Sequence, residues 1–280
     1  MMLARLLMLI PVLAAGPAVP SVDQILATAD RTLAQTQDYR GKLLRQERFL
    51  DGMKSQLNDF KFKKPFSVYL RFIEPFPGRE VIFVRGWNGD QLRVHRGSFP
   101  DITVSLDPRG SKALARCHHP VTDFGLENTI RLAGKNLRLA MKRGEGEIRV
   151  KDGGLVNGQP VWTIEARFPR GGTFVTARDG ETLWDISRRT GQDMYLLLYT
   201  NQDKDYDEPD DVDEGDRVFV PRYYGAAAEF HVDKQLCLPV RVVIRDWQGR
   251  LYEQYDYTEI ERNAGLTRKD FDPDNPAYKF

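Results

Sequence analysis

The chain has 280 residues, with 41 basic and 40 acidic side chains, so its formal net charge at pH 7 is only +1. Such a balance does not suit a protein that binds nucleic acid through an excess of positive charge, and no basic helix or base-stacking motif stands out. The sequence therefore predicts no nucleic-acid partner.

The amino terminus has the pattern of a secretory signal peptide. Arg5 precedes an apolar stretch from Leu6 to Ala15 that is too short to span a bilayer, and small residues and prolines follow as far as Pro20. We expect cleavage after Ala18, hence a signal peptide over residues 1–18. No cysteine lies near this junction, which argues against a lipid anchor, and no later segment is apolar enough to cross a membrane. The mature chain is expected to be periplasmic.

A helix is predicted next, because apolar residues recur at helical spacing between Ser21 and Gln37. Runs rich in β-forming residues follow, and they are expected to pair as antiparallel neighbours. The first strands are predicted at Tyr39 to Phe49, Gln56 to Phe62, Pro65 to Glu74, Arg79 to Trp87 and Gln91 to His95, with helices at residues 108–116 and 122–141.

Further strands are predicted on both sides of a distinct segment, at Glu147 to Val150, Val156 to Phe168, Ala227 to Val232, Pro239 to Asp246 and Arg250 to Ile260. Neither flank has enough strands for a core of its own, so one sheet interrupted by an insertion is expected.

The segment from Phe174 to Pro221 has the pattern strand, helix, helix, strand. Gly180 allows a sharp turn, Thr182 and Asp193 suit helix N-caps, and Trp184 is expected at the centre of the core. Residues 173–222 contain thirteen acidic and six basic side chains, a net charge of −7. The acidic run after Asn201 partly matches a calcium loop but has Glu208 where the turn needs glycine, so a solvated loop is favoured.

This segment resembles the LysM domain, a bacterial module that binds cell-wall glycans. The resemblance implies that peptidoglycan, through its N-acetylglucosamine chains, is bound between two turns, formed by Gly180, Glu181, Thr182 and Leu183 on one side and by Asn201 and Gln202 on the other. Family members usually have Asp at the position of Glu181 and Pro at that of Gln202. A LysM fold without sugar affinity is the alternative.

The flanks resemble an uncharacterised family of exported bacterial proteins with a LolA-like fold. The resemblance is carried by the segments Pro65 to Arg71, Gly78 to Val81, His119 to Leu126, Leu238 to Val240 and Phe271 to Phe280. It implies an α+β fold, a curved antiparallel half-barrel sheet with covering helices, here interrupted by the βααβ LysM-like insertion. In relatives such a hollow shelters acyl chains. Val68, Leu70, Phe72, Leu132 and Leu139 are the lining candidates, although their pattern also suits a filled core.

Chemical motifs are sparse. Cys117 and Cys237 could form a disulfide in an oxidising compartment, or remain free. Cys117, His118 and His119 are adjacent but lack paired metal-ligand spacing, so no metal site is predicted. No catalytic motif is present, and neither catalytic residues nor a cofactor are predicted.

Together these patterns predict an exported, non-enzymatic envelope protein. It would comprise a LolA-like body over residues 19–172 and 223–280, which binds lipid, lipoprotein or an envelope partner, and a LysM domain over residues 173–222, which binds peptidoglycan. The alternatives are a structural envelope protein with a packed core and a LysM-targeted cell-wall hydrolase.

Overall fold

The computed structural model describes residues 18–280. The predicted signal peptide falls on residues 1–17, which lie outside the described residues, and on Ala18. The helices of the described chain are α1 (Val22–Ala34), α2 (Ser111–Leu114), α3 (Leu126–Arg143), α4 (Leu183–Thr190) and α5 (Met194–Thr200). No helix of this part of the chain has the length and apolar character required to cross a bilayer.

Residues 18–280 also contain thirteen strands. They are β1 (Asp38–Phe49), β2 (Gly52–Lys63), β3 (Ser67–Glu74), β4 (Glu80–Val84), β5 (Leu92–His95), β6 (Thr103–Leu106), β7 (Glu147–Val156), β8 (Gln159–Arg167), β9 (Gly172–Thr176), β10 (Arg217–Pro221), β11 (Ala227–Asp233), β12 (Pro239–Arg245) and β13 (Leu251–Arg262). The predicted strands of both flanks are confirmed, with shifts of a few residues at their ends.

Eleven of the strands form one open antiparallel sheet in the order β6-β5-β4-β3-β2-β1-β13-β12-β11-β8-β7. The amino-terminal and carboxy-terminal parts meet at its centre, where β1 pairs with β13 in a register that sets Glu47 opposite Glu253. β8 pairs with β11 although more than fifty residues separate them in the chain. The prediction of one sheet built from both flanks is therefore confirmed.

Helices α1 and α3 pack together with one face of this sheet in the main hydrophobic core. The capping box of Ser21 and Gln24 begins α1. α3 begins at Leu126, later than predicted, because Gly125 has a φ of +120° and its position is confined: a Cβ there would lie 2.9 Å from the hydroxyl oxygen of Tyr39. That hydroxyl accepts a hydrogen bond from the Leu126 N–H (3.0 Å) and so fastens α3 to β1.

Residues 172–221, which we call the βααβ unit, contain β9, α4, α5 and β10. β9 and β10 form a separate two-stranded antiparallel sheet. The unit has its own hydrophobic cluster, with Leu183, Ile186, Leu197 and Val218 fully buried. Trp184 was expected at the centre of this core, which is wrong: it is half-buried at the edge, where it meets the ring of Tyr195.

The βααβ unit is held against the body by polar contacts from α5 and its N-cap residue. The Tyr199 hydroxyl of α5 donates to Asp246 (2.9 Å), and that of Tyr195 donates to the carbonyl of Leu114 (3.3 Å). Asp193, the N-cap of α5, lies 3.7 Å from His119. Helix α5 therefore abuts the body beside the segment that precedes α3.

Candidate functional site

An apolar cavity of about 310 Å³ lies between the sheet and α3. Its wall combines side chains of eight strands with those of α3 and the segment before it. Its apolar members include Leu43, Leu70, Phe72, Val81, Leu92, Phe124, Leu132, Phe168, Phe230, Val242 and Ile244. A cavity of this size is at the lower end of the range for ligand pockets.

Three of the five lining candidates predicted from sequence are in this wall: Leu70, Phe72 and Leu132. Val68 is fully buried in the core instead. Leu139, two turns beyond Leu132 on α3, is absent from the cavity wall and lines an adjoining groove between α3 and the βααβ unit, which shares Leu132 with the cavity. The alternation along β3 thus indicates the correct face of the sheet. It does not distinguish residues that line the cavity from residues that fill the core.

One end of the cavity is polar, and we call its residues Arg45, His119, Tyr224, Glu253 and Tyr255 the polar end. The Tyr224 hydroxyl donates to Glu253 Oε1 (2.6 Å) and lies 3.0 Å from His119 Nε2. These groups come from β1, β13 and the segments before α3 and β11, so the fold assembles them from four distant parts of the sequence.

Glu47 and His118 lie behind the polar end, out of solvent. The His118 ring has Nδ1 at 2.7 Å from Glu253 Oε1 and Nε2 at 3.0 Å from the carbonyl oxygen of Arg48. Its backbone N–H donates to Glu47 Oε2 (3.2 Å), and the Tyr255 hydroxyl donates to Glu47 Oε1 (2.5 Å). The ring is also stacked on Tyr195.

Attraction between the histidines and the carboxylates of this cluster shifts their pKa values. Burial alone would lower the pKa of His119, but the carboxylates of Glu253 and Asp193 outweigh burial and raise that pKa to about 10. Conversely, burial would raise the pKa of Glu253, yet His119 and His118 hold it well below its usual range. Burial raises the pKa of Cys117, which also lines the cavity, to about 11. Cys117 therefore stays a thiol at neutral pH.

Two arginines without protein partners for their Nε atoms stand at another part of the cavity wall. Arg79 and Arg116 both line the cavity, and their buried Nε groups donate no hydrogen bond to any described residue. Their guanidinium carbons lie 3.9 and 5.6 Å from the ring centre of Phe76. Burial, and then the cations Arg96 and Arg116, lower the pKa of Arg79. An anion at this place would relieve that repulsion.

Of the four consecutive residues of the first predicted glycan-binding turn, Gly180, Glu181 and Thr182 precede α4 and Leu183 begins it. Gly180 has a φ of +65° with open space around it, and Thr182 caps α4 in a capping box with Asp185. The Glu181 carboxylate is paired with Arg189 (2.8 Å). Leu183 is buried, and its N–H donates to the Pro209 carbonyl (2.9 Å). Backbone groups at Gly180, rather than these side chains, remain exposed to a ligand.

The second turn divides into a buried and an exposed residue. The Asn201 side chain donates to the carbonyls of Leu197 and Phe219 (both 2.8 Å) and accepts from the Phe219 N–H (2.7 Å). Asn201 thus ties α5 to β10 and has a structural role. Gln202 is exposed at the start of a short 3-10 turn.

The two cysteines are free thiols in the structure, so of the two alternatives the disulfide is not formed. Cys117 lies beside Glu47 of β1. Across the sheet, Glu47 pairs with Glu253, Glu253 with Ile244, and Ile244 with Ala228, so Cys117 is level with the start of β11. Cys237 follows the opposite end of β11, about 16 Å away along the strand. A disulfide requires Cα atoms within about 7 Å.

Sequence reasoning missed the glutamates of this cluster. Glu47 and Glu253 stand in strands at opposite ends of the chain, and each occupies a buried position where the strand pattern favours an apolar side chain. The only sequence signal was the adjacency of His118 and His119, which had no ligand pair near it. Only the β1–β13 pairing brings the two glutamates to these histidines.

Solved structures give distant matches. The Pseudomonas aeruginosa MucA/MucB complex matches at 11% identity over 89% of this chain and 60% of that chain, with a TM-score of 0.43. The Mycobacterium tuberculosis lipoprotein LppX matches at 11% over 88% and 99%, with 0.40, and a LolA superfamily protein from Nitrosomonas europaea at 11% over 90% and 98%, with 0.33. This chain thus spans about 60% of the MucB-complex chain. Likenesses this low carry no information about ligands.

A comparison with curated proteins finds no match for this sequence. A family model does match, over residues 36–201 and 220–280, which together make up most of the chain. Both flanks of the sheet and the two helices of the βααβ unit lie inside the match, whereas most of the acidic loop lies in its gap. The chain therefore belongs to the family described as protein of unknown function DUF1571.

Proposed function

We propose that this chain is an exported, periplasmic, non-enzymatic protein of the bacterial cell envelope whose body binds an acyl chain of a lipid or lipoprotein. The observation that carries the proposal is the apolar cavity between the sheet and α3. Each methylene group that moves from water into such a cavity contributes about 0.8 kcal/mol, so an alkyl chain needs no specific polar partner there.

The guanidinium groups of Arg79 and Arg116 extend this proposal to the head of the ligand. Both line the same cavity as Leu70 and Phe72, and their buried Nε groups donate to no described residue. Guanidinium groups pair well with carboxylates and phosphates. The ligand that fits both features is an amphiphile with an anionic head beside these arginines and an alkyl chain along the apolar wall.

Binding of a fluorescent fatty-acid probe tests the cavity. Leu132→Trp places a bulky ring in the cavity wall from α3, and we expect it to displace about two methylene groups of the ligand. The affinity for the probe should then fall roughly tenfold.

Leu139→Trp is the matched control, because Leu139 is also half-buried on α3 but lines only the adjoining groove and not the cavity. We expect it to bind the probe as the wild type does. If the wild type binds no probe, or if the two variants lose affinity equally, the structural envelope protein with a packed core becomes the better account.

We further propose that the βααβ unit is a LysM domain that attaches the protein to peptidoglycan, with residues 19–172 and 223–280 as the LolA-like body and residues 173–222 as the inserted domain. The strand-helix-helix-strand order, the antiparallel β9–β10 pair and the separate core support this proposal. The exposed groups at Gly180 and Gln202 are the candidates for hydrogen bonds to the sugar.

Co-sedimentation with insoluble peptidoglycan tests the attachment. Gly180→Gln adds a side chain to the first turn, and Gly158→Gln adds the same one to the β7–β8 turn, where φ is also positive (+79° against +65°) and the space is equally open. We expect the first variant alone to stay in the supernatant. Equal sedimentation of both variants would contradict glycan binding at this turn, and release of soluble muropeptides would favour the hydrolase.

A further inference from the structure

The glutamates of the buried cluster occupy an electrostatically costly arrangement. Glu47 and Glu253 stand directly opposite each other on the central strands β1 and β13, and their exposed fractions are 0% and 2%. Like charges directly opposite in an antiparallel pair repel each other, and burial strengthens the repulsion. Such a pair persists only where positive charge compensates it.

The permanently charged basic side chains near these glutamates do not balance the negative charge of the cluster. Glu47, Glu253 and Asp193 bring three negative charges to the cluster, and Arg45, with its Nε 3.7 Å from Glu47 Oε2, brings one positive charge. With neutral histidines the cluster therefore lacks two positive charges. One divalent cation, or one proton on each of His118 and His119, would supply them.

Three potential metal-donor atoms of the cluster lie close together. His118, Glu47 and Glu253 each offer one ligand atom, and the three atoms lie within 4.8 Å of one another. The His118 Nε2 atom faces the Arg48 carbonyl oxygen (3.0 Å), which can only accept, so Nε2 carries hydrogen. Nδ1 points at Glu253 Oε1 (2.7 Å), which also only accepts, so in the metal-free chain Nδ1 carries a proton that a bound metal ion would replace. Metal-binding histidines are commonly oriented by such a hydrogen bond from the other ring nitrogen.

Supporting hydrogen bonds also fix both carboxylates. The Tyr255 hydroxyl donates to Glu47 Oε1 and the Tyr224 hydroxyl donates to Glu253 Oε1. Glu253 also lines the cavity, so an ion could reach the site from there and keep one position open towards the cavity.

We propose that Glu47, His118 and Glu253 bind one divalent transition-metal ion of the zinc class at the base of the cavity. Nitrogen and carboxylate ligands in this number suit Zn²⁺. The site does not depend on the proposed acyl ligand, and its test uses the metal alone.

Calorimetry with Zn²⁺ tests the site on the untagged, chelator-treated full chain. We expect one ion per chain, and Glu253→Gln and Glu47→Gln should each weaken binding about 100-fold or more. Glu80→Gln is the matched control, since Glu80 is also buried and hydrogen-bonded to a tyrosine hydroxyl (2.9 Å) but belongs to β4, outside this cluster. It should bind Zn²⁺ as the wild type does.

Nitrogen NMR of the histidine rings tests the site in the wild-type protein. Because this measurement needs no substitution, a folding defect cannot explain its result. On addition of Zn²⁺, the His118 Nδ1 signal should move to the position of a metal-bound nitrogen while Nε2 stays protonated. Absence of Zn²⁺ binding, binding unaffected in folded Glu253→Gln, or an unchanged doubly protonated His118 ring would each overturn the metal site in favour of a proton-balanced cluster.

Discussion

Buried polar side chains hold separate parts of this protein together, and Asn201 is the clearest example. It was predicted as a glycan ligand by resemblance, yet its amide bridges the end of α5 and the backbone of Phe219 in β10. Its neighbour Gln202 is exposed. The LysM-like motif therefore singled out Asn201, but the residue type alone did not show that its side chain bridges α5 and β10.

Asn201→Ala should destabilise the βααβ unit by about 2 to 3 kcal/mol, because it leaves buried backbone groups of Leu197 and Phe219 unpaired. Gln202→Ala should change the stability by less than about 0.5 kcal/mol, as is usual for an exposed residue. Urea unfolding, followed by the NMR signal of the Trp184 indole N–H resolved from those of the other three tryptophans, compares the two variants. Equal effects would show that the Asn201 bridge contributes little.

The protonation of His119 gives a pH prediction for the metal-free protein. Its pKa of about 10 lies above the unfolded value of about 6.5, so its contribution to stability is complete below pH 6.5 and is lost as the pH rises towards 10. The free energy of unfolding should fall by a few kcal/mol between about pH 6.5 and 9.5. Urea titrations in chelator would measure this, and His119→Gln should flatten the profile. A wild-type profile that rises with pH would contradict the ionised cluster.

At the scale of elements, the strands of both flanks were predicted from alternating apolar and polar residues and from turn residues. Both signals depend only on neighbouring residues in the chain, so the sequence alone contains them. The βααβ order was predictable for the same reason, from Gly180, Thr182 and Asp193. The late start of α3 was not, since it depends on the distant Tyr39 hydroxyl beside Gly125. The position of Trp184 also escaped prediction, because the body provides part of its surroundings.

The β9–β10 pair at the junction between the body and the βααβ unit should require glycine at position 172. A Cβ at Gly172 would lie 2.3 Å from the Val220 carbonyl oxygen, whereas one at Gly171 would meet the flexible end of Arg222 at 3.2 Å. We expect Gly172→Ala to weaken the β9–β10 pair and Gly171→Ala to leave it unchanged. Hydrogen exchange at the amides of Val175 and Val218 would show the difference. Equal protection in both variants would mean that the backbone adapts.

At the scale of the whole molecule, the sheet unites groups that no local pattern connects. Glu47 and Glu253 face each other only because the first and last long strands are central neighbours. The resemblance of the flanks predicted a sheet with a hollow, and the cavity beside Leu70, Phe72 and Leu132 agrees with it. The polar end within that hollow could not be predicted, since its members come from distant segments.

Mass spectrometry of an organic extract from the purified protein tests the central claim most directly, with Leu132→Trp purified in parallel. We predict acyl species at up to one per chain in the wild type and a marked depletion in the variant. An extract without acyl species from repeated wild-type preparations, together with no binding of the fatty-acid probe, would contradict the claim.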